Sequence, residues 1–204
     1  VFAKFYGVPK CASVIKCENI FRSTVVGHCA FREIVERLTP DGIVDTAHAL
    51  LDTMAIFLGR ENCRIAVAAL NPHAGEDGLF GNEEATIIQP AIDRLLAEGN
   101  QVIGPCPADT VFLKARSGEV GGVVFLYHDQ GNIAMKTRMF QTTACIYTNV
   151  PYPILSPGHG SALDIAELGV ANPTNIAYVL TTLTDIIRIR RQLSTDAEQI
   201  TQAE

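Results

Sequence analysis

The chain lacks the features that mark several large classes of protein. None of its apolar runs approaches the roughly 18 residues of a membrane span, and the first residues show no basic segment followed by an apolar run, as a secretory signal would. Its 16 Lys and Arg are outnumbered by 22 Asp and Glu, giving a net charge of −6, whereas a nucleic-acid surface needs clustered basic residues. We therefore expect a cytoplasmic protein with neither a membrane nor a nucleic-acid partner.

Two further absences concern cysteine and glycine patterns. The six cysteines include no Cys-x-x-Cys pair and fit no common zinc motif. With 204 residues, 48% of them apolar, the chain can bury a core without a disulfide scaffold, so reduced and mostly buried thiols are expected. No Gly-x-Gly-x-x-Gly opens a helix after a strand, so a standard Rossmann nucleotide site is not indicated.

What the chain does contain is an alternation of apolar runs with helical patterns. Residues 64–70 and 122–127 are nearly continuous apolar runs, which are typical of strands covered on both faces of a parallel sheet. Shorter strands are predicted at 23–26, 101–104 and 143–150, with loops or turns at 71–81, 105–107 and 151–161. Helices are predicted at 41–58, at 82–98, from Ala108, and twice near the end, the second of these at 173–192. The alternation predicts an α/β class with a mainly parallel sheet and flanking helices.

The helix at 41–58 has the clearest boundaries. Thr39-Pro40-Asp41 provides a capping residue, a proline in the first turn and an early acid, and Gly59 follows the last apolar position. By contrast, the first 22 residues mix Lys16 and Arg22 with apolar residues and show no clean period. We expect residues 1–193 to form one α/β unit and residues 194–204 to form a polar tail that frays.

Three histidines directly follow apolar runs, namely His28, His73 and His128. Ligands of open α/β sheets bind outside the carboxyl ends of the strands, and a neutral imidazole is a common ligand of divalent metals. Each histidine alone is more often an ordinary surface or core residue, but three in the same topological place favour one metal ion with an open coordination position. His48, inside the helix at 41–58, is read as structural.

Three other features could contribute to a site. The stretch from Ser156 to Pro173 surrounds His159 with glycines and small residues before a short helix, so its free backbone N–H groups could hold a nucleotide, although it could equally be a plain loop. Lys136 could neutralise an anionic substrate or transfer a proton, but a lone lysine is more often a solvated surface charge. Asp109 is a candidate catalytic residue, yet it is more often a helix cap.

Several segments together resemble the 4-hydroxythreonine-4-phosphate dehydrogenase family of vitamin B6 biosynthesis. They are Leu70-Asn71-Pro72-His73-Ala74-Gly75-Glu76, the Gly-Pro-x-Pro-Ala-Asp-Thr pattern from Gly104 to Thr110, and Tyr127-His128-Asp129-Gln130-Gly131. The stretch from His159 to Pro173 also resembles the nucleotide loop of isocitrate and isopropylmalate dehydrogenases, whose fold that family shares. The likeness extends from about Ser23 to Ile187.

This resemblance implies a fold and a site. It implies an isocitrate/isopropylmalate dehydrogenase-like fold and a homodimer in which His28 and His73 bind a divalent metal, zinc, magnesium or cobalt, together with His128 of the other subunit. Lys136 would contact substrate. The loop at 158–173 would hold NAD, and its candidate residues are His159, Gly160, Asp164 and Asn172. The implied reaction is oxidation of a secondary alcohol of a hydroxy acid, with possible loss of carbon dioxide from the keto product.

The sequence departs from that family in three places. The family's N-terminal segment, with a substrate-contacting His-Thr pair, would precede Val1, so the chain resembles the C-terminal three-fifths of the enzyme. Cys145 and Ile154 align with an asparagine and an arginine that help to hold substrate, and losing the arginine removes a bidentate anion clamp. Gly158 replaces an aspartate, which makes it similar to cis-dihydrodiol dehydrogenases of aromatic dicarboxylate breakdown.

The expected substrate is therefore 4-hydroxythreonine-4-phosphate or a related phosphorylated hydroxy acid. One alternative is a cis-dihydrodiol of the terephthalate type. The other is an inactive fragment that keeps the dimer-forming region.

Overall fold

The computed structural model describes residues 2–8 and 11–203, and a mixed seven-stranded sheet forms their centre. The strands are β1 (Ser13–Cys17), β2 (Ile20–Val26), β3 (Arg64–Ala68), β4 (Gln101–Cys106), β5 (Gly122–Tyr127), β6 (Thr143–Tyr147) and β7 (Ile154–Pro157). The helices are α1 (Phe2–Tyr6), α2 (Ile34–Arg37), α3 (Pro40–Leu58), α4 (Gln89–Ala97), α5 (Val111–Arg116), α6 (His128–Met139) and α7 (Thr174–Ala203). None of these helices is both long and apolar enough to cross a membrane, over the part of the chain that is described.

The strand order is β4-β3-β5-β2-β1-β6-β7. Strands β4, β3, β5 and β2 pair in parallel, whereas β1 is antiparallel to both of its neighbours, β2 and β6. Strand β6 therefore runs in the same direction as β2, and β1 and β7 run against the other five strands. The predicted α/β class with a mostly parallel sheet is confirmed.

The two faces of the sheet carry separate apolar clusters. On one face, side chains such as Val124 and Val67 pack against Leu50 of α3 and Leu95 of α4. On the other face, the neighbouring strand residues pack against α5 and α6, with Phe125 as an example. The alternation along β5 explains its continuous apolar run, because both faces of this central strand are covered.

Helix α3 begins and ends where its sequence predicts. The Thr39 hydroxyl accepts a hydrogen bond from the Gly42 N–H at 3.1 Å, and Pro40 occupies the first turn, where no N–H partner is needed. Gly59 ends the helix with a positive φ of 76°. The helix predicted at 82–98 also forms, although its first turn, Glu84–Ile88, is π-helical and α4 follows from Gln89.

Several predicted boundaries are wrong. Strand β4 continues through Cys106, so the predicted turn at 105–107 is largely strand, and α5 begins at Val111 instead of Ala108. The predicted loop at 151–161 contains β7, which binds β6 as an edge strand. The first of the two final helices is only a 3-10 turn, Leu163–Ile165, and α7 continues past 192.

The opening segment is more ordered than its sequence indicates. Residues 2–6 form α1, and β1 and β2 form an antiparallel hairpin that turns at Glu18-Asn19. This hairpin places β2 beside β5, so the end of β2 meets the end of β5 at the carboxyl edge of the parallel strands.

Candidate metal and substrate site

The three candidate metal ligands follow three neighbouring strands of the sheet. His28 comes two residues after β2, His128 is the first residue after β5, and His73 lies five residues after β3. Because β3, β5 and β2 are adjacent and parallel, their carboxyl ends share one edge. The structure therefore places all three histidines at the same edge of the sheet, as their positions in the sequence predict.

Within one chain, His28 and His128 come together. Their ring centroids are 4.8 Å apart with a 44° tilt, and both line a cavity of about 230 Å³. His128 Nδ1 lies 2.6 Å from an Asp129 carboxylate oxygen. A carboxylate partner on one ring nitrogen holds the proton there and leaves the Nε2 lone pair available, which is the arrangement typical of metal-bound histidines.

His73 lies in a neighbouring cavity of about 280 Å³, together with Asp109. Tyr127 borders both cavities. Among residues 2–8 and 11–203, no group of three or more His, Cys, Asp or Glu side chains is arranged to hold a metal ion. The donor set thus suits a metal, but one chain brings together only two of the three imidazoles.

The turn that carries His73 has an unusual backbone. The residues from His73 to Asp77 all have positive φ angles, and four of them are not glycine. Left-handed backbone costs a residue with a side chain roughly 1–2 kcal/mol, so this turn needs strong external support.

Glu84 supplies that support, and no sequence motif identifies it. Its buried carboxylate accepts hydrogen bonds from the backbone N–H groups of Leu70 and Asn71 at 2.9 and 2.7 Å, and from Asn71 Nδ2 at 2.9 Å. Burial alone raises the pKa of Glu84, but these hydrogen bonds outweigh it, and the net pKa is lowered. Glu84 Oε2, the oxygen that accepts from Asn71 Nδ2, lies close to Gly75, and a Cβ added at Gly75 would be 2.9 Å from it. Glu84 therefore fixes the start of the turn that presents His73.

Gln130 ties the ends of β3 and β5 together. Its side-chain oxygen accepts from the Leu126 N–H at 2.9 Å, and its Nε2 donates to the Ala69 carbonyl at 3.0 Å. These two hydrogen bonds connect the end of β5 with the residue that follows β3. Gln130 belongs to the recognised Tyr127–Gly131 stretch, and its structural role becomes visible only once the strands are adjacent.

The two candidate catalytic residues differ in their surroundings. Asp109 is exposed in the turn before α5, where Thr110 takes the N-cap position, so Asp109 does not cap that helix. It lines the same cavity as His73. Lys136 is exposed two turns along α6 from His128, and its Nζ lies 5.9 Å from the centre of the Phe140 ring.

Cys145 and Ile154, the two candidate substrate contacts, lie on one face of the sheet. Cys145 pairs with Ser156, and Ile154 pairs with Tyr147 in the adjacent row of the β6–β7 ladder. Both side chains are partly exposed. Burial raises the pKa of the Cys145 thiol, and hydrogen bonds from Tyr147 and Ser156 oppose that shift. The residue that sequence reasoning missed on this face is Arg22, a buried arginine of β2 that lies just before the predicted strand at 23–26.

The candidate nucleotide loop is open to solvent. His159, Gly160, Asp164 and Asn172 are all exposed, and a Cβ at Gly160 would meet nothing within 4 Å. The Asn172 side chain accepts a hydrogen bond from the Thr174 N–H at 2.9 Å and so supports the start of α7. The loop therefore has room for a bound molecule, and Asn172 has a structural role in addition to its predicted one.

The sheet and its flanking helices define an α/β protein whose candidate site residues, His28, His73 and His128, follow the carboxyl ends of parallel strands. The family described as "Pyridoxal phosphate biosynthetic protein PdxA" matches residues 1–182, and the chain belongs to that family.

Curated relatives carry two activity names. The chain is 40% identical over 166 residues to the D-threonate 4-phosphate dehydrogenase of Pectobacterium atrosepticum, covering 81% of this chain and 51% of the relative. It is 41% identical over 152 residues to the 4-hydroxythreonine-4-phosphate dehydrogenase of Xanthomonas campestris pv. campestris, covering 74% and 47%. The chain thus spans about half the length of the curated relatives it matches.

Solved structures extend the likeness to the fold. The 4-hydroxythreonine-4-phosphate dehydrogenase of Klebsiella pneumoniae superposes with a TM-score of 0.80 at 34% identity, covering 91% of this chain and 56% of that one. A terephthalate 1,2-cis-dihydrodioldehydrogenase from Burkholderia xenovorans gives 0.67 at 27% identity, covering 86% and 56%. The predicted family is confirmed.

Proposed function

We propose that this chain forms the metal- and NAD-binding part of a homodimeric dehydrogenase that oxidises a secondary alcohol of a phosphorylated hydroxy acid. The substrate is 4-hydroxythreonine-4-phosphate or the related D-threonate 4-phosphate, as in the names of its relatives. The observation that carries the proposal is the placement of His28, His73 and His128 at the ends of three adjacent parallel strands. Residues 1–193 are proposed to be the C-terminal α/β part of such an enzyme.

The metal site is proposed to use ligands from two subunits. His28 and His73 of one chain, with His128 of the other, would hold a divalent ion, zinc, magnesium or cobalt. A bound metal supplies a Lewis acid that polarises the substrate hydroxyl and eases its deprotonation. The single chain supports this division because its own three imidazoles do not converge on one point. Asp129 is suited to keep the His128 proton on Nδ1, so that Nε2 is free to bind.

The remaining polar groups have distinct proposed roles. Asp109, which lines the His73 cavity, is placed to accept a proton released from the substrate. Lys136 contributes positive charge for an anionic substrate. The exposed loop from His159 to Asn172 would hold NAD, which would supply the hydride acceptor, and Gly160 leaves the backbone open to close approach. The proposed site thus combines the histidine edge of the sheet with this loop.

The assay that tests this function is NADH formation by the purified chain. With zinc, magnesium or cobalt present, we expect NADH from 4-hydroxythreonine-4-phosphate or D-threonate 4-phosphate, and none after metal removal by a chelator. If none of the three substrates, the two phosphorylated acids and a terephthalate cis-dihydrodiol, yields NADH with any of the three metals, the result favours the inactive-fragment alternative instead. A His48→Ala variant serves as a control, since His48 lies on α3, away from the strand ends, and its ring contacts the Glu98 carboxylate.

One structural observation favours the dihydrodiol as a second candidate substrate. A Cβ on Gly158 would lie 2.8 Å from Thr143 Cγ2, so the aspartate expected in the B6 enzymes does not fit here. Ile154 also provides no cation for a phosphate. NADH formed from a terephthalate cis-dihydrodiol in preference to both phosphorylated acids would select this candidate.

Replacing Gly158 by aspartate should destabilise the chain. We expect a loss of about 1–3 kcal/mol in the free energy of unfolding, because the new side chain collides with Thr143 on the neighbouring strand. Urea denaturation monitored by circular dichroism measures it. Gly160→Asp is the matched control, since a Cβ there meets nothing within 4 Å. Adding Thr143→Ala should recover part of the loss; if Gly158→Asp and Gly160→Asp unfold alike, the steric explanation is wrong.

A further inference from the structure

Arg22 is a buried cation without a described counter-ion. Arg22 lies in β2 and is only 6% exposed. Nη1 donates to Thr24 Oγ1 at 2.7 Å and Nη2 donates to Asn132 Oδ1 at 2.5 Å, both neutral groups. Over the described residues, Arg22 forms no ion pair, and its buried Nε has no hydrogen-bond partner. A buried charge in this state is costly, so the fold keeps Arg22 at the expense of stability.

The register of the sheet shows which surface Arg22 faces. Arg22 is opposite Ile15 on β1, and Ile15 is opposite Cys145 on β6. Directly opposed residues of antiparallel strands point to the same face. Arg22 therefore shares a face with Cys145, and also with Ser156, which is opposite Cys145 on β7. Unlike Arg22, which lies under α6 beside Gly131 and Asn132, Cys145 and Ser156 are partly exposed, so this face of the sheet reaches solvent at β6 and β7.

The guanidinium also extends toward the histidine edge. Thr24, its hydrogen-bond partner, is two residues further along β2 in the direction of His28. Asn132, its other partner, donates from Nδ2 to the His128 carbonyl at 3.1 Å. One side chain thus separates Arg22 from the turn that carries His128.

Arg22 is positively charged at neutral pH, because its pKa stays well above 7. Burial lowers its pKa to about 10. A guanidinium that offers Nε–H beside a neighbouring N–H is a parallel two-donor fork for a carboxylate or phosphate. On this face Cys145 and Ile154 carry no charge, so Arg22 is the buried cation that an anionic ligand would meet.

We propose that Arg22 binds the anionic group of the substrate, a phosphate or a carboxylate, beside the histidine edge. This assignment rests on the proposed function, in which the oxidised alcohol belongs to an anionic acid. Arg22 would then determine substrate specificity from β2, three strands away from Ile154 on β7. The bound anion would neutralise the charge of Arg22 and accept a hydrogen bond from its Nε.

Anion binding to the purified chain, without NAD or metal, tests the assignment. Isothermal titration with inorganic phosphate and, separately, acetate distinguishes the two anion classes. We expect the parent to bind at least one of them and Arg22→Met to weaken that binding by roughly 10- to 100-fold, the value of a lost charge-assisted pair. Arg138→Met is the matched control on α6, because Arg138 is exposed near the other end of the helix; its affinity should not change.

Thermal unfolding adds a second readout that a structural arginine would not give. In anion-free buffer, Arg22→Met should melt at the same temperature as the parent or higher, because an apolar side chain replaces an uncompensated charge. The rise in melting temperature that the anion gives the parent should be lost. If Arg22→Met does not fold, Asn132→Asp replaces it: the new carboxylate beside Nη2 supplies an internal counter-ion and should abolish anion binding.

Two results would overturn the assignment. One is an unchanged phosphate and acetate affinity in the folded Arg22→Met or Asn132→Asp variant; the other is a parent chain that binds neither anion. Neither depends on turnover, so a failure of NADH formation with Arg22-dependent anion binding would reject the proposed reaction and leave this site standing.

Discussion

Mixing a His73→Ala variant with a His128→Ala variant should restore about a quarter of the parental metal content and NADH formation, although each variant alone has lost both. The expectation follows from the proposed metal site, which takes His28 and His73 from one subunit and His128 from the other. In a mixed dimer, one site lacks two ligands and the other is complete. Random exchange places about half of the chains in mixed dimers, and each such dimer has one intact site of two.

The geometry of the single chain makes this test decisive. His28 and His128 lie with ring centroids 4.8 Å apart, whereas His73 lines the neighbouring cavity. If the metal were held within one chain, His73 would have to move toward the other two rings, and mixing could never rebuild a site. Metal content measured by atomic absorption, before and after subunit exchange, separates the two arrangements without relying on turnover.

The control for this experiment is a mixture of His28→Ala with His73→Ala. Both ligands are assigned to the same side of the site, so every site in a mixed dimer lacks one of them. No recovery is expected. Recovery in this control, or none in the His73 and His128 pair, would show that the ligands are divided differently from the proposal.

The sequence predicts the centre of the sheet well, for a physical reason. Strands β3 and β5 are covered on both faces, so nearly all of their residues are apolar and buried. A polar residue directly after such a strand must lie at the sheet edge. This is why His128 could be assigned to the carboxyl edge from its position alone, and why His28 and His73 joined it.

The edge and hairpin strands give a weaker signal. All four residues of β7 are only partly buried, and in β1 only Val14 and Cys17 are buried. Such strands bury too little apolar surface to stand out, and prolines nearby argue against a strand. Arg22 was overlooked because it lies in the opening segment, where the sequence shows no clean period, and its burial depends on the packing of α6.

The support for the His73 turn depends on contacts that no local pattern contains. Glu84 reaches back 13 residues to Asn71 and 14 residues to Leu70. From sequence, an acid at this position indicates only a favourable charge at a helix start. Its hydrogen bonds to the turn exist because the sheet brings the end of β3 beside that helix.

Replacing Glu84 by alanine should be the most destabilising change at the site. Two backbone N–H groups, of Leu70 and Asn71, would lose their shared acceptor in a buried position. We expect a loss of about 2–4 kcal/mol in the free energy of unfolding, measured by urea denaturation. Metal affinity should fall roughly 10- to 100-fold as the His73 turn loosens, measured by titration of the folded variant.

The pH dependence of stability gives an independent signature of Glu84. Its pKa is lowered in the folded chain, so the stability it contributes is fully present above the unfolded value of about 4.3 and is lost as the pH falls through the folded value. A Glu84→Gln variant has no such titration. The stability difference between parent and Glu84→Gln should therefore shrink below about pH 4; a constant difference would rule out this contribution.

Glutamine cannot simply replace the carboxylate, because Asn71 is held from two sides. Asn71 Nδ2 donates to Glu84 and, at 2.6 Å, to a Glu83 oxygen. In Glu84→Gln the new amide N–H faces another donor, and turning the Asn71 amide over would set its oxygen against the Glu83 carboxylate. Glu83→Gln removes that obstacle, so the double variant Glu83→Gln/Glu84→Gln should be more stable than the sum of the single losses predicts. Additive losses in this cycle would mean that the two carboxylates act on the His73 turn independently.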